Sequence, residues 1–294
     1  MIALACSRGD AVHGSLAGAD DFGRPVPAHL AARRIVSLNP ATTQLLFAMG
    51  YGRRVVGRTH WDLYPADAAA VADLGDGLNP NVEAIFSARP DLVLLYASET
   101  TRGAADRLVS AGIPTIALRT DHFADARRAA QVIARVLGDS SRWHEVTDSV
   151  DTTVARVREA TAGLDRPRVF WIVWAAPLIT VGRGSYFDEL ITTAGGRNIY
   201  GDLAAASPTV TIEDVLQRDP QVIFASPELA RRIRSDSRWQ LSAALRHKLV
   251  LEPDTTLVGQ PSVRFGEAAV NLANLLHPGI MTVGTHRAVS AGRH

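Results

Sequence analysis

The stretch RTHWDLYP gathers His60, Trp61, Asp62 and Tyr64 in one short segment, and WIVWAAP places Trp171 and Trp174 in another. Aromatic rings in loops beside proline offer broad, flat surfaces with a polar edge, against which a planar or bulky ligand can lie. The alternative is ordinary core packing. It suits Trp171, which alternates within an apolar strand pattern, better than Trp61 or Trp174. Trp239 in the polar SDSRWQ is expected at a ligand cleft, and Tyr64, Tyr96 and Tyr186 are further candidate contacts at strand ends or a helix start.

Catalysis and metal binding have less support. His60 beside Asp62 invites an acid-base or metal role, but the nine histidines form no HxxxH or HExxH pair, and a lone loop histidine is usually solvated. The single cysteine excludes an internal disulfide and a CxxC site. There is no GxSxG and no P-loop, and VGRGSYF lacks the full dinucleotide fingerprint. No nucleophile, base and oxyanion site assemble, so a protein that is not an enzyme, with no cofactor and no resident metal, is expected.

A second pattern concerns acids. In NVEAIFSARPDLVLLYAS, Glu83 precedes Pro90 at the same separation as Glu213 precedes Pro220 in TIEDVLQRDPQVIFASP. Each segment predicts a short helix, with Asn or Thr as N-cap, an acid in the first turn, apolar residues at helical spacing and a proline stop. Each then continues as an apolar run, DLVLLY or QVIFA, of the kind that forms a parallel strand buried on both faces. The helix dipole accounts for each acid singly. It does not account for one acid at the same point of both halves, which suits docking on a two-fold symmetric partner with basic sockets.

These candidates require two α/β lobes. RRIVSLNPATTQLLFAMGYGRRVVGRT and PRVFWIVWAAPLITVGRGSYFDELITTAGGRNIYGD both predict strand, loop, helix closed by glycine, and a second strand. TTRGAADRLVSAGI and PTIAL complete the first lobe, and SRWQLSAALRHKL, VLEP and VRFGEAAVNLANLL close the second. Between them lie two helical patterns without strand signal, one short and one long, a stiff spacer that disfavours wide hinge motion. The expected organisation is a tether over 1–32, an N-terminal α/β lobe over 33–122, connecting helices over 123–165, a C-terminal α/β lobe over 166–278 and a tail over 279–294. The lobes are Rossmann-like, with a ligand cleft between them.

With 31 Lys+Arg against 30 Asp+Glu, the charge balance gives no general reason to bind nucleic acid or an anionic membrane. No apolar run approaches the roughly 18 residues of a spanning helix. Cys6, after the short apolar stretch MIALA, resembles the end of a bacterial lipoprotein signal and is the candidate lipidation site.

Taken together, RIVSLNPATTQLLFAMG, NPNVEAIFSARPDLVLL, SAGIPTIAL, TTAGGRNIYGD and TIEDVLQRDPQVIFAS resemble the periplasmic binding proteins of the helical-backbone class. That class feeds cobalamin, haem and ferric siderophores to ABC importers, and the likeness runs from about Arg33 to Leu276. Within it, the second-lobe pattern is most similar to the cobalamin-binding members. The resemblance implies a monomeric, periplasmic or lipid-anchored receptor that serves a permease dimer with its ATPase subunits. It also implies one docking glutamate per lobe, at Glu83 and Glu213, meeting arginine pockets. The cobalamin binders carry an aromatic before the first docking helix, where this chain has LGDGLNP. A haem binder would use Tyr or His on iron, with His60, Tyr64 or Tyr96 available; a siderophore binder would present arginine, as Arg58, Arg183 or Arg264 would allow. From a different class, an intracellular α/β enzyme or metabolite-sensing module is the alternative.

Overall fold

The computed structural model describes residues 18–139 and 141–281. In the first lobe, β1 (Ile35–Leu38) passes through Asn39 into α1 (Pro40–Ala48), followed by β2 (Val55–Gly57), α2 (Val82–Ser87), β3 (Leu92–Tyr96), α3 (Glu99–Ser110) and β4 (Thr115–Leu118). Helices α4 (Phe123–Val136) and α5 (Arg142–Thr161) lead to the second lobe. It begins with β5 (Arg168–Trp171), the hairpin β6 (Trp174–Ala175) and β7 (Leu178–Ile179), α6 (Tyr186–Thr193), β8 (Arg197–Asn198) and α7 (Ile212–Arg218). It continues through β9 (Val222–Phe224), α8 (Pro227–Ser235), α9 (Ala243–Arg246), β10 (Val250–Leu251), α10 (Thr255–Val258) and α11 (Phe265–Leu276).

The two main sheets share one topology. The first runs β2-β1-β3-β4 and the second β8-β5-β9-β10, so each has its second-occurring strand at one edge and its first and third side by side in the centre. Every pairing within them is parallel. In β3, Leu92 and Leu94 enter one apolar cluster while Val93 and Leu95 enter another on the opposite face. In β9, Ile223 and its neighbours Val222 and Phe224 divide in the same way. Helices therefore cover both faces, and a fully buried leucine on such a strand contributes about 1.5–3 kcal/mol.

The connector is continuous with both cores. Trp143 and Val146, in the first turns of α5, pack on the first lobe, whereas Val150, Val154 and Val157 belong to the core of the second. At 20 residues, α5 is about 30 Å long. Helix α11 lies against it so closely that a Cβ at Gly266 would sit 2.9 Å from Thr153 Cβ. Phe123, at the start of α4, stacks on Phe265 with centroids 4.9 Å apart, and its N–H donates to Glu189 Oε2 at 3.3 Å. These contacts join the lobes through packed side chains.

Three features depart from the sequence-based expectations. Residues 18–32, expected as tether, form a strap on the first lobe. Asp20 Oδ2 accepts from the Ala117 N–H of edge strand β4, and Asp21 N–H donates to Ala117 O at 2.9 Å. Phe22 packs into the core there, with Arg102 over its ring at 4.3 Å. Second, the β6–β7 hairpin, whose two-residue strands are too short to carry a period, and the nine-residue α8, capped by Ser226, lie in segments for which no separate element is expected. Third, Ile280 and Met281, assigned to the tail, pack against the second-lobe core. Cys6 lies outside the described residues, among which no helix is long and apolar enough to cross a membrane.

Candidate functional site

Loops from the carboxyl edges of both sheets meet around a cavity of about 830 Å³. The first lobe supplies the end of β1 with the start of α1, the loop after β2, the loop before α2, and Tyr96 at the end of β3. The second supplies α10 and the segment after it, including Gln260 and Arg264. A smaller cavity of about 150 Å³ at the carboxyl edge of β5 and β9 shares Thr255 and Gly259 with the first, so the two adjoin. This is where open parallel sheets bind ligands.

The loop after β2 is held from beneath. Asp62 is buried, and its Oδ2 accepts from Thr59 N and Thr59 Oγ1, both at 2.6 Å. Burial pushes its carboxyl pKa up, opposed by the Thr43 and Thr59 hydroxyls, the Thr59 N–H and the Arg58 charge. With Asp62 as its anchor, the loop turns its apolar side chains outward. Trp61 is 63% exposed, Leu63 72% and, from the facing loop, Leu78 50%. Large side chains left this open around a concavity mark a ligand surface. The facing loop runs so close to β1 that a Cβ at Gly77 would lie 2.4 Å from Leu38 O. LGDGLNP thus supplies backbone proximity and Leu78 rather than an aromatic ring.

Tyr64 and Tyr96 also line the cavity. Arg264 lies over the Tyr64 ring at 4.1 Å and donates to Glu267 Oε2 at 3.0 Å. Tyr96 OH donates to Asp121 Oδ1 at 2.6 Å; burial first, then this carboxylate, raises the phenol pKa far above its usual range. Tyr96 is therefore held as a neutral phenol that donates to Asp121. Asp76 is held below the usual carboxylate range by the Leu78 N–H and the Asn79 amide.

Other candidates fall elsewhere. Trp239, only 3% exposed, stacks on Phe170 in the second-lobe core, because its 3-10 turn packs against α7 and α8; it is not a cleft residue. Tyr186, 6% exposed, packs among Phe187 and Phe265 at the lobe junction and is likewise removed from the cavity wall. Trp174 is exposed on the hairpin, its Nε1–H donating to Ala176 O at 3.0 Å, outside the walls of both cavities. His60 packs on Trp61 at 4.6 Å and is not part of the wall. Arg58 spends its guanidinium on Thr59 O, Ala68 O and Ala69 O, which removes it from ligand contact. Arg183 is exposed and also outside the wall. Trp171 is buried, as core packing predicts.

Gln44, Leu63, Leu78, Thr256 and Gln260 carry no sequence signal of their own. The carboxyl-edge rule, extended to the loop after β10, points to the last two. Gln44 is concealed within an apolar helix pattern. Among the described residues, no group of three or more His, Cys, Asp or Glu side chains is arranged to hold a metal.

Glu83 and Glu213 are each the second residue of their helix, capped by Asn81 and Thr211, whose side chains accept from Ala84 N at 3.1 Å and Asp214 N at 3.2 Å. Both are exposed. Glu83 pairs with Arg107 at 2.8 Å. Glu213 borders a cavity of about 280 Å³ beside Arg238, and its carboxyl is held below the usual range by its own backbone N–H and the Thr211 hydroxyl.

Two α/β lobes on a helical strut, meeting at an open apolar-walled cavity, define a solute-binding protein architecture. The chain belongs to the periplasmic binding protein family, whose model matches residues 35–255. It is 29% identical over 212 residues to a vitamin B12-binding protein of Salmonella paratyphi A, covering 71% of this chain and 78% of that protein. The corresponding protein of Yersinia pestis is 29% identical over 196 residues, covering 67% and 70%. The fold matches the periplasmic vitamin B12-binding protein BtuF of Vibrio cholerae with TM-score 0.73 at 23% identity, over 84% of this chain and 97% of that one. It also matches the periplasmic haem-binding protein BhuT with TM-score 0.75 at 22% identity, over 83% and 97%.

Proposed function

We propose that this protein is the extracytoplasmic, non-enzymatic receptor of an ABC importer, capturing cobalamin or a related corrinoid and delivering it to a dimeric permease. The observation that carries the ligand class is the electrical character of the cavity. Among the described residues forming its wall, Arg264 is the sole cation, already paired with Glu267, and Asp76 the sole anion. The remainder is apolar or neutral polar. Haem brings two carboxylates and an iron needing a ligand; a ferric siderophore complex is commonly anionic. A corrinoid presents apolar ring edges and many neutral carboxamides and needs no metal ligand from the receptor. Sequence identity to vitamin B12-binding relatives supports the same reading.

Binding would come from apolar area on Trp61, Leu63 and Leu78 plus a few polar contacts, with little lobe closure because α5 is packed into both cores. Glu83 and Glu213 would meet basic pockets on the two permease subunits, and lipidation at Cys6 would hold the receptor at the membrane surface. Proteoliposomes containing the cognate permease and ATPase test the whole assignment. Adding the receptor with radiolabelled cyanocobalamin should give ATP-dependent uptake; uptake of haemin in its place would transfer the function to haem.

A further inference from the structure

The charges around the cavity are compensated, with one exception in its wall. Arg264 lies 3.0 Å from Glu267 Oε2. Near the loop after β2, Arg58 lies 3.7 Å from Asp73 and is otherwise spent on carbonyls, while burial works against a charge on Asp62. Behind Tyr96, Asp121 and Arg119 act on the phenol with opposite sign. The adjoining smaller cavity has no charged side chain in its wall. Asp76, on the facing loop, is the exception: it is a wall residue, half-buried, with no ion pair among the described residues. The base that acts on it is His60, which unlike an arginine is not permanently charged.

Asp76 is held in place as an anion. Its Oδ1 accepts from the Leu78 N–H at 3.0 Å and its Oδ2 from the Asn79 amide at 2.8 Å. These donors keep the carboxyl below its usual range, so it is ionised at neutral pH. Both donors are neutral, which leaves the charge itself uncompensated, and each oxygen retains acceptor capacity. An ionised carboxylate is acceptor-only and has no donor to turn toward an anionic group. Its field also acts without contact, and it strengthens when a ligand displaces water from the cavity.

We infer that Asp76 sets the charge class of the ligand, so that the cleft favours a cationic corrinoid over a neutral one and a neutral one over an anionic one. The inference rests on the reading of the cleft as a corrinoid site and adds to it a charge state and the residue that selects it. Cobalamin offers a series on one scaffold. With water on cobalt it is cationic, with cyanide it is neutral, and the cyanide form with one rim amide hydrolysed to a carboxylate is anionic.

The test is calorimetric titration of aquocobalamin, cyanocobalamin and a cyanocobalamin monocarboxylic acid at neutral pH and low salt. Wild type should bind them in that order, each step being roughly threefold to tenfold. Asp76→Asn keeps the side-chain shape and an acceptor for the Leu78 N–H, and should compress both steps toward equality. Added salt should compress them in wild type as well, a measurement that needs no variant. A side chain replacing water on cobalt would also favour aquocobalamin, but that preference would survive both Asp76→Asn and salt, and such a result overturns the inference. A carboxylate that merely caps its loop would, on substitution, shift all three affinities together and leave their order intact, which overturns it too. Equal binding of the three corrinoids by wild type overturns the inference alone. No binding of any of them overturns the corrinoid reading and the inference with it.

Discussion

Arg264, one residue before α11, lays its guanidinium over the ring of Tyr64 at 4.1 Å, so a side chain of the second lobe rests on the loop after β2 in the first. The guanidinium is steadied by Glu267 Oε2 at 3.0 Å and by Thr256 O at 3.3 Å. The contact forms part of the cavity wall and a point of adhesion between the lobes. Arg264→Ala should cost about 1 kcal/mol of stability, measured by urea unfolding, from the lost cation–π contact and the unpaired Glu267. Ligand dissociation should also quicken as the wall loosens, as stopped-flow absorbance would record.

The aromatic residues divide by position. Trp61 forms part of the cavity wall and is largely exposed, whereas Trp174 stands outside it. Trp61→Ala should weaken corrinoid binding by about 2 kcal/mol, near thirtyfold, and Trp174→Ala by far less. Calorimetric titration of both variants decides the ranking; equal losses would place the ligand against the hairpin as well.

Asp62 gives a pH dependence. Its folded pKa is raised, chiefly by burial, so the folded state holds a proton that the unfolded state, with an ordinary value of about 3.9, has released. The stability this contributes is fully present below about pH 3.9 and is lost as pH rises through the folded pKa. Thermal midpoints of Asp62→Asn, followed from pH 4 upward, should decline less steeply across that window than those of wild type.

The two proposed docking acids are unequal in the free protein. Glu83 is already paired with Arg107, while Glu213 has no ion pair within the described residues. Arg107 and Glu83 are both well exposed, so their pair is worth less than about 1 kcal/mol. Arg107→Ala should therefore tighten association with the cognate importer slightly, whereas Glu83→Ala and Glu213→Ala should each weaken it, as surface plasmon resonance on reconstituted importer would show.

Much of this fold is legible in the chain because its signals are local. Asn81 and Thr211 announce helix starts, Pro90 and Pro220 their ends, and the runs at Leu92–Tyr96 and Val222–Phe224 are apolar without alternation because both faces are covered. Trp61, placed in a loop beside the carboxyl edge, was accessible to the same reasoning. Trp239 and Tyr186 were not, since a polar neighbourhood in sequence does not reveal that a 3-10 turn or a helix start folds its ring inward. Nor does any pattern mark Gln44, a buried amide that the fold brings to the cavity wall. The strap over residues 18–32 escaped for a similar reason: Asp20 and Asp21 look solvated until β4 offers its edge.

The most direct test of the central claim is calorimetric titration of cyanocobalamin and of haemin into the purified protein. The proposed corrinoid function predicts one-to-one cyanocobalamin binding with negative heat-capacity change, from apolar burial against Trp61, Leu63 and Leu78, and much weaker haemin binding. Tight haemin binding with a shifted Soret band, and none of cyanocobalamin, would contradict it.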